Sequence, residues 1–337
     1  MFSKTDAEQL RKNLPKVKFL SDDGGSVAAL DATASDLYVN YCKHYGLDFC
    51  SGDAHPALQI ATSNIGVLVS GNYELVCQQF LPLKSKPLKT VFVLHGYFDH
   101  AGLYTPLIRH FIESNVAVVI LDLPGHGLSS GEAASINTFR QYSDAFLACL
   151  QTATHQGLAG PWVALGQSTG AAIIMDALLD KNLSRDFSFE HYVLLGPLLK
   201  PKNWLWSKLL FSCIRWFVAS TPRMFSANSH DAEFLHFLQY SDKLQSRKIP
   251  RDWILAMIDY YKRFDKAPPL DQKLEIIQGT DDGTVDWEKN IPKIVAKFAG
   301  SKVYEIKGAR HHLVKESVPY RAQVFQFLNQ ILELESN

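Results

Sequence analysis

Six short runs rich in Val, Ile and Leu recur along the chain, and helical patterns fill most of the gaps between them. The runs are TVFVLH (90–95), VAVVILD (116–122), WVALG (162–166), YVLLG (192–196), LEIIQG (274–279) and KVYEIK (302–307). Helical stretches lie near 101–114, 135–154, 169–181, 287–298 and 317–334. A strand that is apolar on both faces has to be covered on both, and helices connecting parallel strands supply that cover. Upstream, NIGVLVSGNYELVCQQFLP holds two alternating runs joined at Ser70-Gly71-Asn72, the pattern of a hairpin. The expected fold class is α/β, a mostly parallel eight-stranded sheet with helices on both faces.

The interval 197–273 breaks the alternation. Its helical and aromatic character reads as an inserted helical cap over the carboxyl ends of the strands. The expected organisation is an N-terminal helical extension over 1–60, the first part of the core over 61–197, the cap over 198–265 and the second part of the core over 266–337. In the extension, a polar helix is expected near Asp6–Leu14 and another over Ser35–Tyr45, closed by Gly46. Lys plus Arg and Asp plus Glu are 34 each, so the basic surplus that nucleic-acid binding demands is absent and that partner is excluded. No run approaches the ~18–20 uncharged residues of a membrane-spanning helix, and the N-terminus has no apolar segment of a secretory signal. Five cysteines without C-x-x-C spacing fit reduced thiols in a cytoplasmic setting.

Gly166-Gln167-Ser168-Thr169-Gly170 stands between a predicted strand and a predicted helix and carries the pattern G-x-S-x-G. A sharp turn there lifts the serine into an unfavourable backbone conformation, and the residues two before and two after must be small for the turn to close. Ser168 is the candidate nucleophile, exposed at a helix N-terminus where backbone N–H groups favour a developing anion. The strand at 90–95 runs into His95-Gly96-Tyr97-Phe98-Asp99-His100. In such an arrangement the loop after this strand and the residue after the nucleophile each supply an oxyanion-hole amide, here Tyr97 and Thr169. His95 is expected to bond the loop backbone and His100 to organise the loop; no second ligand pair at zinc spacing accompanies them, so no metal and no cofactor is expected. The turn Asp122–Gly131 is assigned to architecture.

A serine nucleophile needs a histidine to take its proton and a carboxylate to hold that histidine. In chain order the acid and then the base should follow, each at a strand end. LEIIQG ends in Gly279-Thr280-Asp281-Asp282, and KVYEIK in Gly308-Ala309-Arg310-His311-His312. Asp282 is the favoured acid with Asp281 as the alternative, and His311 the favoured base with His312 as the alternative. Asp286 is placed to cap the following helix.

These residues bring a family into view. The chain resembles α/β-hydrolase-fold serine hydrolases of the monoacylglycerol lipase and lysophospholipase branch over about residues 61–335. The family pattern HG-x-x-E-H-S-x-x-Y is similar to His95–Tyr104, and GHG-x-S-x-G-E to Gly125–Glu132. GARHHLVKE (308–316) resembles the segment around the family's catalytic histidine, which implies His311 as the base, and the same match puts the acid on Asp282. The elbow GQSTG departs from this branch, which more often has histidine second and methionine fourth.

Trp204, Trp206, Leu210 and Trp216 lie in an apolar, aromatic stretch of the cap, and no Asp or Glu occurs from His191 to His230. Lys200, Lys202, Lys208, Arg215 and Arg223 give it a basic fringe. That composition suits an acyl-chain pocket or peripheral contact with an anionic membrane surface. The residues 242–263 beyond it read as solvated helix surface. The expected activity is metal-free hydrolysis of a single-chain lipid ester through an acyl-enzyme. The rivals are an aminopeptidase-type hydrolase, which would need an acid to hold the substrate ammonium, and a non-catalytic interaction protein on the same scaffold.

Overall fold

The computed structural model describes residues 2–20, 30–50, 60–83, 85–180, 183–202 and 218–334. Strands β1 (Ala61–Ser70) and β2 (Tyr73–Pro82) form the expected hairpin, with Ser70 opposite Tyr73 across Gly71-Asn72. β3 (Thr90–Leu94), β4 (Ala117–Leu121), β5 (Trp162–Gln167) and β6 (Phe189–Leu195) follow. Two short strands, β7 (Ser220–Pro222) and β8 (Lys248–Pro250), pair with each other outside the main sheet. β9 (Glu275–Gly279) and β10 (Lys302–Ile306) complete an eight-stranded sheet in the order β1-β2-β4-β3-β5-β6-β9-β10. Pairing is antiparallel from β1 to β4 and parallel from there to β10.

Alternation along the strands divides the core into two layers, because successive side chains leave opposite faces of a sheet. Val91, Val93, Val118, Ile120, Val163 and Leu165 point into one cluster. Phe92, Leu94, Val119, Leu121 and Ala164 point into the other. The first layer is covered by α1 (Lys4–Asn13), α2 (Ala32–Tyr45), α3 (Thr105–Glu113) and, near the C-terminus, the helix Val318–Leu332. The second is covered by α4 (Arg140–His155), α5 (Thr169–Asp180) and the helices Arg251–Lys266 and Trp287–Lys297.

The described residues before β1 are built into this core. Val17 donates to Val67 O at 2.9 Å and Val67 donates to Pro15 O at 2.8 Å, so residues 15–17 cover part of the outer edge of β1. The approach needs Gly66, where a Cβ would lie 2.5 Å from Val17 Cα. Tyr45 at the end of α2 sits against Gly102, where a Cβ would be 2.6 Å from the ring.

Between β6 and β9 the described chain carries β7, a short helix Ala232–His236, β8 and the helix Arg251–Lys266. Trp204, Trp206, Leu210 and Trp216 lie outside the described residues. The reading of 242–263 as solvated surface is corrected at Asp242 and Arg263. Asp242 is fully buried, accepts from Tyr45 Oη at 3.0 Å and lies 3.2 Å from His100 Nε2. Arg263 bonds the buried Asp176 on α5. Both residues are polar, and their tertiary partners explain why Asp242 is buried and Arg263 half-buried. Among the described residues no helix is long and apolar enough to cross a membrane, and Cys42, Cys77 and Cys149 are buried free thiols.

Candidate active site

Parallel strands end at one edge of the sheet, and the loops that follow β3, β5, β6, β9 and β10 gather there. That is where ligand crevices form in open α/β sheets. Ser168 occupies the turn from β5 to α5 with φ of 54°, a left-handed backbone that a non-glycine residue adopts only under constraint. The constraint is visible. Ser168 N donates to Leu195 O at 2.8 Å, and its carbonyl accepts from Ala172 N at 3.1 Å and Leu198 N at 3.2 Å. A Cβ at Gly166 would overlap the backbone of Gly170, and one at Gly170 would overlap the carbonyl of Leu94.

His311 Nε2 lies 2.9 Å from Ser168 Oγ, and His311 Nδ1 lies 2.7 Å from Asp282 Oδ2. Asp282 Oδ1 accepts from the amides of Thr284 at 2.8 Å and Val285 at 3.1 Å, and Oδ2 also accepts from Gln278 Nε2 at 3.1 Å. Burial works against the Asp282 anion, but His311 and the two amides outweigh it and hold the carboxyl below its ordinary value. Burial likewise works against the His311 cation, and Asp282 outweighs it, so that imidazole's pKa is raised. With Nδ1–H directed at Asp282, Nε2 is the acceptor that faces the serine hydroxyl.

The alternatives fall elsewhere. Asp281 is exposed, 3.7 Å from Arg310 Nε. His312 is buried and lines the same cavity, but its Nε2 lies 3.1 Å from Asp99 Oδ2 without hydrogen-bond alignment, and it makes no bond to Ser168. Asp286 holds the N-cap position of Trp287–Lys297, yet its side chain accepts from Lys289 Nζ at 2.8 Å and makes no cap bond, which corrects the capping role expected of it.

Tyr97 and Thr169 flank a cavity of about 380 Å³ into which Ser168 and His311 also open. Among the described residues nothing accepts a hydrogen bond from either of their amides. The Tyr97 side chain is held by its hydroxyl on Ala134 O at 2.7 Å and by stacking on Trp253 at 3.8 Å between centroids. His95 braces the same loop, with Nδ1 2.8 Å from Gly96 O and Nε2 accepting from Leu123 N at 3.0 Å. Burial pulls its pKa down to about 3, so the ring is neutral.

Three residues at the site escaped the sequence reading. Gln278 supports Asp282, Gln167 Nε2 donates to His311 O at 3.0 Å, and Asp99 lines the cavity. A glutamine inside the apolar run LEIIQG, and another between the strand and the serine, were the available signals: a buried polar side chain needs a partner.

Residues 85–318 match the family model Hydrolase_4, described as "Serine aminopeptidase, S33". The chain belongs to the Hydrolase_4 family of α/β hydrolases. Among its relatives in that fold, it is 26% identical over 265 residues to a monoglyceride lipase homolog of Monkeypox virus, covering 76% of this chain and 92% of the viral protein. It is 25% identical over 279 residues to the monoglyceride lipase of Homo sapiens, covering 78% and 88% of the two chains. A solved structure of a soluble variant of monoglyceride lipase from Saccharomyces cerevisiae, in complex with a substrate analog, superposes with a TM-score of 0.67 at 17% identity, covering 82% of this chain and 96% of that one. That likeness shows an α/β-hydrolase fold.

Proposed function

We propose that the chain is a serine-dependent carboxylic ester hydrolase acting on lipids with a single acyl chain, a monoacylglycerol or a lysophospholipid. The observation that carries the reading is the unbroken hydrogen-bond chain Ser168–His311–Asp282, which opens on a cavity beside two amides that donate to none of the described residues. Ser168 Oγ attacks the ester carbonyl while His311 Nε2 takes its proton. The Tyr97 and Thr169 amides hold the oxyanion, and Asp282 stabilises the imidazolium. Collapse of the tetrahedral intermediate expels the alcohol, which leaves with the proton from His311. Water then enters, gives a proton to the same nitrogen and cleaves the acyl-enzyme. The monoglyceride lipase relatives support a lipid ester as substrate, and Leu198, Leu235 and Leu238 supply apolar lining for an acyl chain.

The description of the family model favours a second reading, an aminopeptidase-type hydrolase. Asp99 in the cavity is the acid that could hold a substrate ammonium, but the cation Arg223 lines the same cavity and opposes it. A panel of monoacylglycerol, lysophospholipid and aminoacyl arylamide, run with wild type and Ser168→Ala, separates the readings. Hydrolysis of the lipid esters alone, with both the activity and fluorophosphonate labelling lost in the variant, is the expected outcome. Arylamide cleavage without ester cleavage would establish the peptidase.

Contact with a lipid surface through Trp204, Trp206, Leu210 and Trp216 belongs to the same proposal. Exposed Met224 and Phe225 beside the cavity support it. Replacing Trp204 and Trp206 with serine should weaken liposome binding more than hydrolysis of a short soluble ester; equal losses would assign those rings to packing.

A further inference from the structure

Arg223 follows β7 and has no carboxylate partner among the described residues. Among the described residues no Asp or Glu oxygen lies within the 4.0 Å of an ion pair from it. Arg263, by contrast, bonds both Asp176 and Asp259. Arg223 is nevertheless fixed in place. Its guanidinium carbon lies 4.0 Å from the Phe98 ring centroid and 4.5 Å from that of Phe225, and Nη1 donates to Gln245 Oε1 at 2.6 Å. Nε and Nη2 donate to none of the described residues. Burial pulls its pKa down to about 10, so the group is still a cation at neutral pH.

Its position relates it to the reacting centre. Phe98 is the residue after Tyr97, and Arg223, Phe98 and Ser168 line one cavity. The charges that act on Arg223 are Asp99, Arg247 and Asp242. Asp99 is engaged by the Tyr104 hydroxyl at 3.2 Å and lies 3.1 Å from His312, while Asp242 is engaged by His100 and Tyr45. Arg247 adds a second cation, 4.7 Å from the Phe225 centroid. A forked donor pre-positioned by two aromatic rings suits the oxygens of a phosphate or carboxylate, which it can contact through two N–H groups at once. A neutral glyceryl ester has no use for a partly desolvated guanidinium in its pocket.

We propose that Arg223 recognises an anionic group a few bonds from the scissile ester, so that the substrate is a negatively charged single-chain lipid such as a phosphate-bearing lysophospholipid in preference to a neutral monoacylglycerol. This rests on the ester hydrolase reading for its kinetic consequence but not for binding, and the experiment separates the two. Dodecyl phosphate and dodecanoate, each below its micellar concentration, and dodecanol, below its solubility limit, are titrated into the Ser168→Ala protein and into Ser168→Ala proteins that also carry Arg223→Gln or Arg223→Lys. Dodecyl phosphate should bind at least ~10-fold more tightly than dodecanol, as one charge-assisted bidentate contact predicts. Arg223→Gln should erase that ratio and Arg223→Lys should keep part of it. The dodecanoate arm distinguishes a phosphate site from a general anion site. Equal affinities for phosphate and alcohol in the arginine protein, or a ratio unchanged by Arg223→Gln, would overturn the proposal. With the Ser168 enzyme, kcat/KM for lysophosphatidate over that for monoacylglycerol of the same chain should exceed ~10 and fall by that factor in Arg223→Gln. A parallel fall for both substrates would assign Arg223 to holding residues 245–246. Labelling by a fluorophosphonate and cleavage of a short soluble ester report on the ester hydrolase reading independently of either ratio.

Discussion

At the residue scale, the site joins two electrostatic tendencies that need each other. Asp282 stays ionised in a buried place because two amides, Gln278 and His311 face it, and His311 is easier to protonate because Asp282 faces it. Catalysis by the proposed route needs neutral imidazole in the free enzyme. Since the folded pKa is above the ordinary 6.5, kcat/KM should rise with pH through an inflection on the alkaline side of that value and fall away below it. Asp282→Asn should lower kcat by about 10⁴-fold, from loss of both the tautomer and the anion. In a pH profile of that variant the inflection should move down, because burial then acts on the ring with only Asp99 left to oppose it. Asp281→Asn, an exposed change, should stay within about threefold by the same assay. A larger loss there than at 282 would exchange the two aspartates. In the sequence the match to the family's motif favoured Asp282 over Asp281; the structure distinguishes them by the amides of Thr284 and Val285, which converge on one carboxylate and leave the other in solvent.

At the scale of elements, the turn between β5 and α5 and the contact between α2 and the segment after the short helix Ala232–His236 show opposite legibility. The turn is local. Gly166, Gly170, Ala171 and Ala172 are small because the backbones of β3, β5 and α5 touch there, and a pattern of five residues records it. Gly170→Ala should destabilise the protein by about 1–3 kcal/mol and abolish fluorophosphonate labelling, since the Leu94 carbonyl has to move. The other contact is long-range. Tyr45, His100 and Asp242 meet from three distant parts of the chain, and no spacing announces them. Burial works against the His100 cation and against the Asp242 anion, but each outweighs this for the other, raising His100 and lowering Asp242. The raised histidine contributes stability that is complete below 6.5 and lost as pH rises through its folded pKa. The lowered aspartate contributes stability that is present above 3.8 and lost as pH falls through its folded pKa. The pair therefore stabilises most between those two values. Asp242→Asn should cost about 3–5 kcal/mol there and visibly less in alkaline buffer, as chemical denaturation at both pH values would read; a loss independent of pH would mean the histidine is neutral throughout.

For the whole molecule, the residues before β1 act as a wall of the domain. Phe2, Leu10, Tyr41 and Tyr45 belong to the core on one side of the sheet, and Val17 and Phe19 to the core on the other. Removing residues 1–30 would uncover the β1 edge at Val67 and expose both clusters. Each large apolar side chain withdrawn from burial costs about 1.5–3 kcal/mol, so the shortened chain should lose most of its stability and self-associate, measurable as a lower Tm and a larger species on size exclusion. A truncated protein that stayed monomeric with an unchanged Tm would show that these contacts are dispensable. The sequence shows two helices in this region but not what they cover, because their partners lie far along the chain, in β1, β2, the loop at Gly102 and, for Tyr45, at Phe237 and Asp242.

Periodicity and local turn chemistry determined the parallel sheet, the hairpin, the strained serine turn and the strand ends that carry Asp282 and His311, since each depends on neighbours within a few residues and leaves its mark in spacing. Convergence was decided by tertiary structure: which aspartate faces the imidazole, that Asp242 is buried under α2, and that Arg223 stands beside Phe98 with no carboxylate partner among the described residues. Those depend on charges and rings brought together from 29 positions apart, for Asp282 and His311, to more than a hundred, for Asp242 and Arg223, where the free energy of a group is set by partners that no local pattern contains.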